Sequence, residues 1–205
     1  MSAFTDIRIS GWEVGTQLVR WFGAIGVYTT AIYLPLCVAY GRTRREVAVD
    51  SAIFAGVYAA LVGVLITVGF ALEALIYRRA GWSQWLGNVH LFDAPDQYHL
   101  VLFEHVVVLS VWVAAGAMLG AAFYRSDGLG MVSIPVGLAA VILTEVGTGP
   151  GYLGPPPPPL LELGGLELGT FSPLAAAATA LLCCGVLAAI TWLIVRDLPI
   201  RNQPQ

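Results

Sequence analysis

The chain is 205 residues long, 58% hydrophobic and only 11% charged, with a mean hydropathy of +0.77; this usage lies far from that of water-soluble domains and reads as an integral membrane protein. All ten basic residues are Arg and Lys is absent, which excludes a phosphate-binding loop ending in Gly-Lys-Ser/Thr, whose ammonium holds the terminal phosphates. The formal net charge of -3 comes without a basic face suited to nucleic acid.

A helix needs roughly twenty mostly apolar residues to cross the hydrocarbon of a bilayer. Five segments qualify, at 18–40, 51–77, 100–124, 131–148 and 173–195, and predict an all-α membrane protein: one transmembrane domain over residues 1–205, a bundle of about five helices with no repeat and no soluble domain. The first segment is too long for a cleaved signal, carries Arg20 and has no basic region ahead of it. Pro35 removes a backbone donor inside it and predicts a kink. The loop 41–50 that follows, Gly-Arg-Thr-Arg-Arg-Glu and on to Asp50, is short and basic. Thr43 suits the cap of the next helix, with Glu46 and Asp50 near its positive end. On the second segment Ala52, Gly56 and Ala60 recur every four residues, a spacing that lets helices approach closely.

The loop 78–99 holds His90, Asp93, Asp96 and His99 at three-residue intervals. These are metal-ligand types, yet 100° of turn per residue carries them around a helix axis and Pro95 interrupts it, so a solvated outer loop is expected and no metal. On the third segment Gly116 and Gly120 repeat the close-packing spacing. Ser126-Asp127-Gly128 predicts a tight turn, with Gly at positive φ and Asp bonding its own backbone, so the third and fourth segments form a hairpin. Pro135 predicts a second kink. The connection 149–172 contains a stiff stretch, Pro155 to Pro159, then an apolar and acidic piece expected at the outer surface. Cys37, Cys183 and Cys184 all lie in apolar runs and are expected to pack as small hydrophobes.

Orientation follows the Arg content of the short loops. With 41–50 on the cytoplasmic side, six Arg lie inside (Arg42, Arg44, Arg45, Arg125, Arg196, Arg201) and four outside (Arg8, Arg20, Arg78, Arg79). The amino terminus is then outside and the carboxyl terminus cytoplasmic, in a multi-pass plasma-membrane protein. Charged groups within apolar segments are costly and mark function by default. Glu73, Glu104 and Glu145 fall roughly 13, 12 and 8 Å from their segment midpoints, at 1.5 Å per residue, all in the outer leaflet. With His105 they are candidates for a cargo or proton pathway; the structural alternative is that each snorkels or bonds a neighbouring helix.

The run 12–45, Trp-Glu-Val-Gly-Thr-Gln-Leu-Val-Arg-Trp-Phe, an apolar span, Tyr-Leu-Pro-Leu and Gly-Arg-Thr-Arg-Arg-Glu, resembles the permease subunits of type-2 ATP-binding-cassette exporters of the small actinobacterial kind. The similarity is best over about 11–125. In that family a Gly-x-Thr-Arg-Arg element seats on the ATPase subunit and the next helix often ends in a Glu, as Leu72-Glu73-Ala74 does. The resemblance therefore implies ATPase docking through Arg42, Thr43, Arg44, Arg45 and Glu46, and ATP and Mg bound on the partner rather than here. It also implies a homodimer or a second permease chain enclosing the pathway, and no enzymatic activity in this chain. Family permeases usually have six spans with this element after the second; here it follows the first, so the family's first span has no counterpart. Two other readings stay open: a non-transporting structural or immunity-type membrane protein, and a small cation-coupled transporter.

Overall fold

The computed structural model describes residues 10–82, 86, 90–148 and 172–197, with backbone alone for 17–20 and 22. All regular structure among these residues is helical. The Pro155 to Pro159 run and the acidic piece after it lie outside the described residues.

The first helical stretch is built of pieces: α1 (Gly11–Val19), a 3-10 turn (Arg20–Ala24), α2 (Ile25–Tyr28), a π turn (Thr29–Tyr33) and α3 (Leu34–Ala39). Pro35 has no amide hydrogen and its ring crowds the carbonyl four residues earlier, so the backbone widens ahead of it. Threonine hydroxyls use carbonyls of this region and its neighbour: Thr29 Oγ1 donates to Gly26 O at 2.7 Å and Thr30 Oγ1 to Ala117 O at 2.7 Å. The expected span 18–40 is thus not one regular helix. Its apolar helical part is Ile25–Ala39, about 22 Å at 1.5 Å per residue.

Among the described residues four helices are long and apolar enough to cross a membrane, by length and composition: α4 (Arg44–Ala80), α5 (Tyr98–Arg125), α6 (Asp127–Thr148) and α7 (Pro173–Val195). This is one fewer than the five expected. The 37 residues of α4 overrun the apolar segment 51–77 at both ends because the flanking chemistry is helical. Thr43 Oγ1 accepts from Glu46 N at 3.3 Å and Glu46 Oε2 accepts from Thr43 N at 3.0 Å, a reciprocal capping box. At the far end Gly81 takes φ 70° and closes the helix. Thr43→Ala is expected to lower stability by about 1 kcal/mol, read as a lower Tm in detergent, while Thr43→Ser leaves it unchanged.

Between α5 and α6 the expected turn at 126–128 shrinks to one residue. Ser126 alone is extended, φ -165° and ψ 149°, and its hydroxyl accepts from Leu129 N at 3.2 Å. Serine caps the helix, so Asp127 and Gly128 enter α6 and no positive φ is needed at Gly128. The α-helix runs on through Pro135, which is exposed.

The central element is α5, which packs against α2, α4, α6 and α7 and supplies residues to three apolar clusters. Ala121 and Ala122 meet Leu34, Val47, Ile194 and Val195; Val111, Ala115 and Met118 meet Val141, Cys183 and Leu187; Val101 and Leu109 meet Ala59, Ile66, Phe70 and Phe92. The glycine spacing on α5 serves the 3-10 turn and α2. A methyl at Gly116 would stand 2.5 Å from Gly23 O, and one at Gly120 2.6 Å from Val27 O, so the two backbones touch where side chains are missing. By contrast Gly56 has nothing within 4 Å. Large apolar side chains are exposed along α4, among them Ile53, Val57, Leu61 and Leu72, and along α7, among them Leu181 and Leu193.

Candidate functional site

At the end of the bundle where α4 finishes and α5 begins, α1 is pinned to α4. Gly69 leaves room for the Trp12 indole, whose Nε1 donates to Ile66 O at 3.0 Å. One turn further on, Glu73 Oε2 accepts from the Ser10 hydroxyl at 2.5 Å and Glu73 Oε1 from Trp12 N at 3.0 Å. A carboxylate beside the free amides of a helix start is favoured by both hydrogen bonding and the helix dipole. Ser10 Oγ in turn accepts from Glu13 N at 3.2 Å.

Held this way, α1 sends Glu13 into the interior, where it is 1% exposed. There it meets His90 from the loop and Glu104 from α5. His90 Nδ1 lies 2.8 Å from Glu104 Oε1 and His90 Nε2 lies 3.4 Å from Glu13 Oε1, and no part of the imidazole side chain is exposed. The second Glu104 oxygen accepts from Leu91 N at 2.8 Å. Phe92 stacks on His90 with ring centroids 4.4 Å apart, placing an aromatic face against the imidazolium, and Phe70 packs edge-on against Phe92. Beside Glu104, His105 donates from Nδ1 to Val101 O at 2.8 Å, because a carbonyl can only accept.

Burial by itself opposes the charged imidazole. The hydrogen bonds to Glu104 and Glu13, and the charge of both, outweigh it and raise the His90 pKa to about 9. At neutral pH His90 is therefore an imidazolium bridging two carboxylates. Such an arrangement can hold a proton or pass it between the two carboxylates through the ring.

The sequence-predicted residues are thereby separated. Glu104 belongs to this trio; Glu73 holds the start of α1; Glu145 Oε1 accepts from Trp112 Nε1 at 3.2 Å, joining α6 to α5. His90 turns inward whereas Asp93, Asp96 and His99 are exposed, so the three-residue repeat does not converge and His90 is not a solvated loop residue. Glu13 and the inward role of His90 were not expected from sequence. The available signal was Ser10-x-x-Glu13, the spacing of a helix start, which places α1 ahead of the apolar run.

The opposite end carries the basic loop. Gly41 turns the chain with φ 87°. Arg42 Nη2 pairs with Asp50 Oδ2 at 2.6 Å on the surface, a contact worth little in water. Arg44 Nη1 donates to Val195 O at 3.2 Å and to Arg196 O, and Arg125 Nη1 to Ile194 O at 3.4 Å; the two guanidinium groups complement the negative end of α7. Thr43 and Glu46 are occupied as a cap, and Arg45 is exposed. Compared with protein-family models, with curated proteins and with solved structures, the chain matches none.

Proposed function

We propose that this chain is the membrane-spanning subunit of an ATP-driven exporter in the plasma membrane, seated through residues 41–50 on a separate ATPase that binds ATP and Mg. The pieced stretch 11–39 makes the fifth crossing, with the amino terminus outside and the carboxyl terminus in the cytoplasm. A second copy or another permease chain completes the pathway. The resemblance at Gly-Arg-Thr-Arg-Arg-Glu suggests this reading, and one structural observation carries it: the loop is capped rigidly onto α4, and the same helix bears Glu73 and the Trp12 contact near its other end. A push at residues 41–46 is thus transmitted along a single rigid helix to α1 and, through it, to Glu13. ATP-dependent closure of the ATPase would bias the bundle between its two openings by this route.

Arg45 is the discriminating residue, since it is exposed whereas Arg44 braces α7. Arg45→Glu is expected to release an ATPase that co-purifies with the wild-type chain under gentle detergent extraction, with no change in Tm. Retention of the ATPase by this variant would remove the docking assignment. The buried Glu13, His90 and Glu104 trio favours a second reading, a cation-coupled transporter; transport driven by an ion gradient in vesicles without ATP would select it.

A further inference from the structure

A cleft of about 350 Å³ opens between α4 and α7, floored by α5 and the π turn. Its size falls within the range of small-ligand pockets, and among the described residues no charged side chain lines it. On the α4 wall stand Ala48, Ser51, Ala52 and Gly56, and on the α7 wall Ala188 and Trp192. Ala52, Gly56 and Ala188 are exposed at its mouth, flanked by exposed Ile53 and Val57 on one side and Leu193 on the other. The opening therefore looks out through an apolar surface, the kind that faces hydrocarbon in a spanning bundle.

Two polar features give the cleft a direction. Arg44 is one helical turn from Ala48 and so lies on the same face of α4, bonded across to the α7 end that also borders the cleft. Arg45, the next residue of α4, is exposed. Six residues above Arg45, about 9 Å along the axis, the Ser51 hydroxyl is buried and has no hydrogen-bond partner among the described residues. The hydroxyls of Thr29, Thr30, Ser110 and Thr191, which also line the cleft, donate to backbone carbonyls. A buried hydroxyl left without an acceptor costs about 1–3 kcal/mol.

We propose that this cleft holds one acyl chain of an anionic phospholipid from the leaflet on the Arg45 side. The phosphate sits at Arg45, an ester carbonyl accepts from Ser51, and the chain runs along α4 past Gly56. The polar end, the acceptor-seeking hydroxyl and the apolar trough follow one another along the helix in the order of phosphate, ester and chain in such a lipid. This rests on α4 and α7 crossing a membrane and is independent of the exporter reading.

The test is a thermal-shift and native mass-spectrometry titration of the delipidated full chain in detergent, with dioleoylphosphatidylglycerol or dioleoylphosphatidylcholine. Phosphatidylglycerol is expected to raise Tm at a concentration at least about tenfold lower, equivalent to 1.4 kcal/mol, and to remain bound as a single adduct. Gly56→Leu should abolish both effects without loss of fold, since nothing lies within 4 Å of a methyl there. Arg45→Glu should remove the preference for the anionic lipid while leaving Tm in detergent unchanged. Equal responses to the two lipids, or an undiminished response in Gly56→Leu, would overturn the proposal. So would disulfide-linked dimers of Gly56→Cys in native membranes in a Cys184→Ala background, which would put a second copy of the chain over the cleft.

Discussion

Gly26→Ala is expected to destabilise the folded protein clearly. A methyl at that position would stand 2.0 Å from Val113 O and 2.7 Å from Ala117 N, both backbone atoms of α5 that cannot move without parting the helices. Alanine would gain about 1 kcal/mol of helix propensity over glycine. Overpacking against fixed atoms costs about 1–3 kcal/mol or more, and here separation of α2 from α5 also breaks the bond from Thr30 to Ala117 O, so the loss prevails. Size-exclusion profiles and Tm in mild detergent measure it. Gly185→Ala is the control: it too lies within a helix, but nothing stands within 4 Å of the added methyl, and its Tm should equal or slightly exceed that of the wild type. Wild-type stability in Gly26→Ala would show that α2 and α5 are further apart than described.

His90→Gln is expected to cost about 3–5 kcal/mol, the usual result of removing one member of a buried charged group. Glutamine cannot carry the positive charge, so Glu13 and Glu104 are left as two buried carboxylates facing an amide. Replacing Glu13, His90 and Glu104 together by Gln should recover part of the loss, because the cost lies in the uncompensated charge rather than in the missing contacts.

The pH dependence has a definite sign. The folded-state pKa of His90, about 9, lies above the ordinary value of about 6.5, so its contribution is complete below pH 6.5 and declines as pH rises through 9. The wild-type chain should therefore lose stability between these values, with hydrogen exchange rising first in α1 and around residue 90. His90→Gln should be flat across the same window. A wild-type profile without that decline would mean that His90 is neutral in the folded protein.

What could be foreseen from sequence depended on how local the cause was. The boundaries of α7 match 173–195 because Ser172 caps it, Pro173 suits a first turn and nothing inside interrupts an apolar run. The start of α4 was legible for the same reason, since Thr43 and Glu46 are three residues apart. The first stretch was not, because the length of an apolar run does not register how Pro35 and neighbouring threonines reshape a backbone. The buried carboxylates were recognisable by their cost, but their partners were distant in the chain: Glu73 bonds Ser10 across 63 positions, and Glu13 meets His90 across 77. His90 sits between apolar neighbours, Val89, Leu91 and Phe92, but the charged residues that follow mask this local mark of burial, and its two carboxylate partners are brought to it only by folding.

The length of α4 has a mechanical consequence. Its apolar portion, 51–77, is about 40 Å long, whereas the hydrocarbon layer of a typical bilayer is about 30 Å thick. In a bilayer the helix must lean by roughly 40° or force the lipid around it to thicken. A thicker membrane would let α4 stand more upright, and its Arg44 end would swing relative to α7, to which that residue is bonded. The width of the surrounding lipid layer would then load the same joint that braces the basic loop, making bilayer thickness an input to the position of residues 41–50.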